Sequence, residues 1–341
     1  MREQFFYFNR RVYKEQAKMQ LKKHWKSPVL VFLCCTAVYC LCAIAGTAIM
    51  FNVMQEWLTQ IQSISSLDNF DSESIFLFLS AYGDISSWGF LLNTIILAIS
   101  GILITALAYF FLTFAKDNEK ATFATFLEGL SYWFKGIRAL LWYILWLFLW
   151  ALLACIPMII GDALMGISFL SGTLESPLHE ISILLIIVSY IACFIILIIK
   201  SISYSQMFFI LADNPDTGVL QAMRKSIAIT EGYKGSLFVM ALSFIGWALL
   251  INLIVGILTV VTFPASANNF ASSASLLIPL AFYCIGYIFL GSYAYTSFAY
   301  AYYDMLKFST GKSMHSLEDQ TNNTEPLQNI EEHHNTDKIQ D

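Results

Sequence analysis

The sequence predicts an all-α membrane protein, a polytopic bundle of about six transmembrane helices with short amphipathic cytoplasmic helices. Three observations predict it. Apolar residues make up 57% of the 341 residues and charged ones 13%, with mean hydropathy +0.64; a soluble domain has about 45–50% and about 25%. Six apolar runs are long enough to cross ~30 Å of hydrocarbon, which takes about 20 helical residues. Lys and Arg are confined to alternate connections between those runs.

Residues 1–27 form a basic amphipathic segment carrying Arg2, Arg10, Arg11, Lys14, Lys18, Lys22, Lys23 and Lys26. Val12, Ala17, Leu21 and Trp25 give it a partial helical face. Ala43-Ile44-Ala45 resembles a signal-peptide cleavage site, but the apolar run continues to Met54, beyond the about 7–15 residues of a signal h-region. An uncleaved span is therefore expected. The six spans fill residues 28–308: Pro28 to Met54, Trp88 to Ala115, Ala139 to Ile160, about Ile181 to Leu211, Leu237 to Phe263, and Leu276 to Tyr303. Continuous apolarity does not suit barrel strands, which alternate. Helices satisfy every backbone polar group internally, as lipid requires. Residues 309–341 carry no aromatic side chain and few aliphatic ones, so a disordered cytoplasmic tail is expected.

No Lys or Arg occurs from Gln55 to Ala115, from Ala139 to Ile199, or from Gly235 to Leu306. The loop from Gln55 to Ser87 holds Glu56, Asp68, Asp71, Glu73 and Asp84 without a base. Positive charge stays on the cytoplasmic side of inserted helices. The pattern predicts a multi-pass protein of the cytoplasmic (inner) membrane with both termini cytoplasmic. A short repeat accompanies it: Trp25-Lys26-Ser27, Phe134-Lys135-Gly136 and Tyr233-Lys234-Gly235 each precede an odd-numbered span.

The stretch from Ser201 to Leu250 concentrates the local signals. It leaves an apolar run at Asp213-Asn214-Pro215-Asp216, which reads as a helix start: Asn214 as N-cap, Pro215 in the first turn, Asp216 near the positive dipole end. Val219, Leu220, Met223 and Ile227 follow at helical spacing, and Gly232 marks a stop. Such a helix lies in the headgroup plane or packs on protein; periodicity slightly favours the first.

The strings Tyr204-Ser205-Gln206-Met207, Leu211-Ala212-Asp213-Asn214-Pro215, Gly232-Tyr233-Lys234 and Leu242-Ser243-Phe244-Ile245-Gly246-Trp247 are the distinctive ones. With Ala17-Lys18, Leu149-Trp150, Ile156-Pro157 and Tyr302-Tyr303-Asp304, they make most of residues 10 to 308 resemble the bacterial integral membrane family called "domain of unknown function 975". Family members commonly carry Gly after the Ile-Pro pair, where this chain has Met158. The resemblance implies a multi-span fold and assigns no activity.

Several chemistries lack their residues. There is no phosphate-binding Gly-rich loop with Lys, no His-Glu-x-x-His and no Gly-x-Ser-x-Gly. Cys34, Cys35, Cys40, Cys42, Cys155, Cys193 and Cys284 all sit in apolar runs without Cys-x-x-Cys spacing, as small buried residues do. No enzyme activity is expected, with an intramembrane enzyme as the remote alternative, and no cofactor, metal or nucleic-acid partner. Lys200, near the end of the fourth span, reads as a snorkelling cation or a functional buried one. Asn93 and Asn252 read as packing amides, and Gly246, Gly256, Gly286 and Gly291 as sites of close helix approach.

The expected function is a non-enzymatic envelope protein that binds membrane lipids or other membrane proteins through its basic cytoplasmic surface. Lys26, Lys135, Arg224, Lys225 and Lys234 are the candidate lipid-headgroup contacts. Asp213, Asn214, Pro215, Lys234 and Trp247 are the structural motif expected at the cytoplasmic face. The alternative is a transporter or permease-like component for a hydrophobic or amphiphilic solute.

Overall fold

The computed structural model describes residues 8–65, 72–116, 121–170, 177–262 and 277–336. Among them the chain forms helices joined by short connections, and no strand. In order they are α1 (Arg10–Lys23), α2 (Lys26–Ser65), α3 (Ser72–Lys116), α4 (Phe123–Leu130), α5 (Trp133–Leu170), α6 (Pro177–Tyr204), α7 (Met207–Asp213), α8 (Val219–Thr230), α9 (Lys234–Thr262) and α10 (Leu277–Thr336). Among the described residues, six segments are long and apolar enough to cross a membrane: Lys26–Thr59, Ser87–Lys116, Trp133–Leu170, His179–Asp213, Lys234–Thr262 and Leu277–Ser309. The protein is thus an all-α polytopic bundle.

The spans follow the apolar runs, but four helices run well beyond them. α2 continues past Met54 to Ser65 and α3 begins at Ser72, so the described part of the expected loop from Gln55 to Ser87 is helical. α5 continues past Ile160 through Asp162 to Leu170, with Pro157 inside it. α10 continues to Thr336, through the segment whose composition predicts no order. The fourth run is broken at Ser205-Gln206, dividing α6 from α7.

The core lies at one end of the bundle. There the last turns of α3 bury Leu107, Phe110, Phe111 and Phe114, and α7 buries every side chain from Met207 to Ala212. α10 adds Ala299, Ala301, Tyr302 and Met305. Elsewhere the spans turn apolar side chains outward: Phe90, Phe148, Leu152, Phe194, Leu253 and Val260 are all exposed. Water would penalise such surfaces; lipid, as apolar as the side chains, does not.

α3 owes its central position to a close crossing with α5. A Cβ on Gly136 would stand 2.5 Å from the carbonyl oxygen of Gly101, and one on Gly101 would stand 2.9 Å from that of Gly136. Small residues let two membrane helices meet backbone to backbone. Gly129 of α4 approaches Ala106 of α3 in the same way, at 2.9 Å. Of the glycines expected at helix contacts, Gly286 meets Ile251 and Gly291 meets Phe32, whereas Gly246 and Gly256 have nothing within 4 Å of an added Cβ.

α1 packs across the core end. Its buried residues are Tyr13, Ala17 and Gln20. Of the partial face read from sequence, Ala17 is buried and Leu21 packs against the core, while Val12 and Trp25, the latter beyond α1, are exposed. The helical period is as expected and the face is rotated, because Gln20 finds partners inside. Its amide donates to the Phe114 carbonyl oxygen, and its carbonyl accepts from Tyr300 Oη at 2.5 Å. Burying a polar group is inexpensive when both its ends are bonded. Lys14 donates to Ser243 Oγ of α9 and lies 4.7 Å from the Phe244 ring centroid. Burial, and then the charge of Arg10, hold its pKa below that of an ordinary lysine.

Candidate functional site

The core end also gathers the bases of residues 8–26, Lys116, and the chain from Lys135 to Arg138 and from Arg224 to Lys234. Side-chain bonds across the bundle bring these segments together. Ser27 Oγ donates to the Ala121 carbonyl oxygen at 2.8 Å, and Tyr303 Oη to that of Leu112 at 3.2 Å.

The connection from α7 to α8 is a turn. Asn214 caps the end of α7, its N–H donating to the Ile210 carbonyl oxygen at 3.0 Å; the Thr217 N–H then donates to the Asn214 carbonyl oxygen at 3.0 Å. Pro215 takes the second turn position, which its fixed φ suits. This corrects the expectation that Asn214 starts α8: that helix begins at Val219, after Gly218, with no side-chain cap. Asn and Pro favour both a helix start and a turn, so the residue types alone do not separate the two. Gly232, at φ +85°, does end the helix as expected, the left-handed residue that glycine supplies.

Asp213, read as part of the same helix start, bonds across the bundle instead. Its carboxylate accepts from Tyr302 Oη at 3.1 Å and from the Asn214 amide at 3.4 Å. Tyr302 is fully buried, so the bond fastens α7 to α10 inside the core. Lys135 donates to the Pro215 carbonyl oxygen, which fastens the start of α5 to the turn. Lys26 and Lys234 open α2 and α9, and Arg224 and Lys225 are exposed on α8. Trp247 stands apart: it is exposed on α9, 13 residues from Lys234, about 20 Å along the helix.

α8 packs one face on protein and shows the other. Ala222, Met223, Ser226, Ile229 and Thr230 are buried, and Ser226 Oγ donates to the Ser203 carbonyl oxygen of α6 at 2.8 Å. Leu220 and Ile227, expected to share the face of Val219 and Met223, are instead outward with Arg224 between them. Inward Ser226 and Thr230 tip the balance because each has a carbonyl to bond.

Between α5 and α8 lies a cleft of about 640 Å³ lined by Arg138, Trp142, Gln221, Arg224 and the first turn of α8. The guanidinium of Arg138 lies 5.7 Å from the Phe134 ring centroid. Among the described residues no carboxylate pairs with either arginine. Two guanidinium groups beside uncapped helix amides form a surface suited to an oxyanion. Arg138 and Trp142 were not among the residues singled out from sequence; their four-residue spacing on one helical face was the available signal.

Lys200 is half-buried, its Nζ 3.7 Å from the ring centroid of Trp150 on α5. Trp150 in turn donates through Nε1 to Tyr204 Oη at 3.1 Å, and Tyr143 Oη shares a hydrogen with Ser201 Oγ at 2.7 Å. Asn93 donates within its own helix, to the Gly89 carbonyl oxygen, while Asn252 donates to Tyr287 Oη at 2.7 Å and so joins α9 to α10. Neither amide lines the arginine cleft.

A family model described as "Protein of unknown function (DUF975)" matches residues 8–308. No curated protein and no solved structure matches the chain.

Proposed function

The chain belongs to that family, and from this premise we propose that it is a non-enzymatic protein of the bacterial inner membrane whose base-bearing, cytoplasmic face binds anionic lipid headgroups. The single observation that carries the reading is the cleft in which Arg138 and Arg224 meet beside the open amides of α8. A guanidinium binds phosphate with paired N–H donors, and an aromatic such as Trp142 sits well at headgroup depth. Outward Leu220 and Ile227 flanking Arg224 suit the same boundary between lipid tails and water. A partner membrane protein presenting an acidic segment would be held by the same charges. Solute transport takes second place, because Asn93 bonds its own helix and Asn252 joins α9 to α10.

The test is lipid enrichment around the purified full chain in nanodiscs of mixed phosphatidylglycerol and phosphatidylcholine. Each base near an anionic surface contributes about 1 kcal/mol. Phosphatidylglycerol should be enriched beside the wild type and less so beside the Arg138→Gln/Arg224→Gln variant. Equal recovery of both lipids by the wild type would end the lipid reading.

A further inference from the structure

A groove of about 410 Å³ runs between α5 and α6. Its walls include Trp150, Leu153 and Pro157 on one side and Leu185, Ala192 and Ile196 on the other. The one hydroxyl in its lining, that of Ser189, is bonded to its own helix at the Leu185 carbonyl oxygen, so the groove offers apolar surface. From Leu185 to Ile196 it follows about 16 Å of helix, and Lys200 stands one turn beyond. The ammonium of Lys200 caps the groove's end, resting on the same Trp150 ring that lines it.

That arrangement leaves a charge incompletely matched. A cation against an aromatic face recovers part of its lost hydration. Within a span, however, a lysine ordinarily finds an anion or water as well. Among the described residues no carboxylate lies within ion-pair distance of Lys200. Lys200 is 20 residues from Glu180 on the same helix, about 30 Å and so close to a full hydrocarbon thickness. The groove therefore runs from one headgroup level toward the membrane interior.

We propose that this groove seats one acyl chain of an anionic phospholipid, with the phosphate held by Lys200. The proposal rests on the lipid-binding reading above but concerns different residues. Charge complementarity selects the occupant: the chain fills the apolar groove, and its phosphate supplies the anion that Lys200 lacks. A zwitterionic lipid would bring the same chain with a compensating cation of its own.

The experiment is photo-crosslinking of the full-length protein in nanodiscs. The probe is phosphatidylglycerol bearing a diazirine in one acyl chain, and the labelled peptides are mapped. Label is expected on Leu185–Ile196 and on Leu153–Pro157. Ala192→Trp, which fills the groove, should remove it. Lys200→Gln should lower it about fivefold, the factor one lysine contributes at an anionic surface, and Lys200→Arg should restore it. Each variant is first shown to be monodisperse with a wild-type melting curve. The proposal is overturned if groove labelling is the same in wild type, Ala192→Trp and Lys200→Gln. It is equally overturned if a phosphatidylcholine probe labels the groove as strongly. In the Arg138→Gln/Arg224→Gln variant, persistent groove labelling supports a separate site. Loss of labelling there, with Lys200 intact, assigns the contact to the arginine cleft and rejects the groove.

Discussion

Replacing Gly136 by alanine adds one methyl group where α3 and α5 meet. That carbon would stand 2.5 Å from the Gly101 carbonyl oxygen and 2.9 Å from Thr105 Oγ1. The first distance falls short of ordinary contact by about 0.9 Å, and the obstacle is backbone, so a helix must shift; overpacking of this kind costs about 1–3 kcal/mol. Glycine to alanine inside a helix otherwise stabilises by roughly 0.5–1 kcal/mol. The net expectation at Gly136 is a loss of up to roughly 2.5 kcal/mol. Gly246→Ala and Gly256→Ala make the same chemical change where nothing lies within 4 Å, and should be neutral or gain roughly 0.5–1 kcal/mol. Unfolding midpoints in mixed micelles of mild detergent and dodecyl sulfate read all three side by side. Destabilisation at Gly136 with none at Gly246 is the expected order. If Gly136→Ala proves as stable as Gly246→Ala, the close crossing of α3 and α5 is wrong.

Other expectations follow from the core end. Gln20→Leu keeps volume but strands the Phe114 carbonyl and the Tyr300 hydroxyl; at about 1–3 kcal/mol for a buried orphan, it should expose α1 to limited proteolysis well before wild type, and unchanged protection would count against its docking. Asp213→Ala leaves the buried Tyr302 hydroxyl without its acceptor and should cost about 1–3 kcal/mol, whereas Tyr302→Phe should cost only about 1; equal midpoints for the two would show the bond is not as drawn. Tyr13 is held above the ordinary tyrosine pKa, by burial first and by the Asp304 carboxylate second. The native state keeps a proton that the unfolded chain gives up, so this contribution is whole below about pH 10 and is lost as pH climbs through the raised folded value. Tyrosinate absorbance should show a component missing in Tyr13→Phe that titrates later than free tyrosine, and a normal titration would contradict the packing.

The spans were legible because lipid leaves few choices: about 20 apolar residues in a row read as one helix crossing. The three short helices before Lys26, Lys135 and Lys234, and the stop at Gly232, were legible from polarity and glycine. What lay hidden depended on partners distant in sequence. Nothing local marks Gly136 as the residue facing Gly101, since Gly246 looks the same on its own helix. Gln20 reads as a surface amide until Phe114 and Tyr300 close around it. Asn214-Pro215 satisfies the rules of a turn and of a helix start alike, and only the extra residues to Val219 decide between them. Asp213, read as part of a helix start, is bonded instead by a tyrosine 89 residues later. The arginine cleft escaped notice because Arg138 and Arg224 belong to different helices.

Binding of headgroups by the bases as proposed requires that they face the cytoplasm. Cysteine placed at Ser66 or Ser171, both outside the described residues, can be probed with an impermeant thiol reagent on intact cells, in a background lacking the seven native cysteines. The account predicts that both positions react and that a cysteine at Ser309 is protected until the cells are opened. Protection at Ser66 and Ser171 with reaction at Ser309 would contradict it.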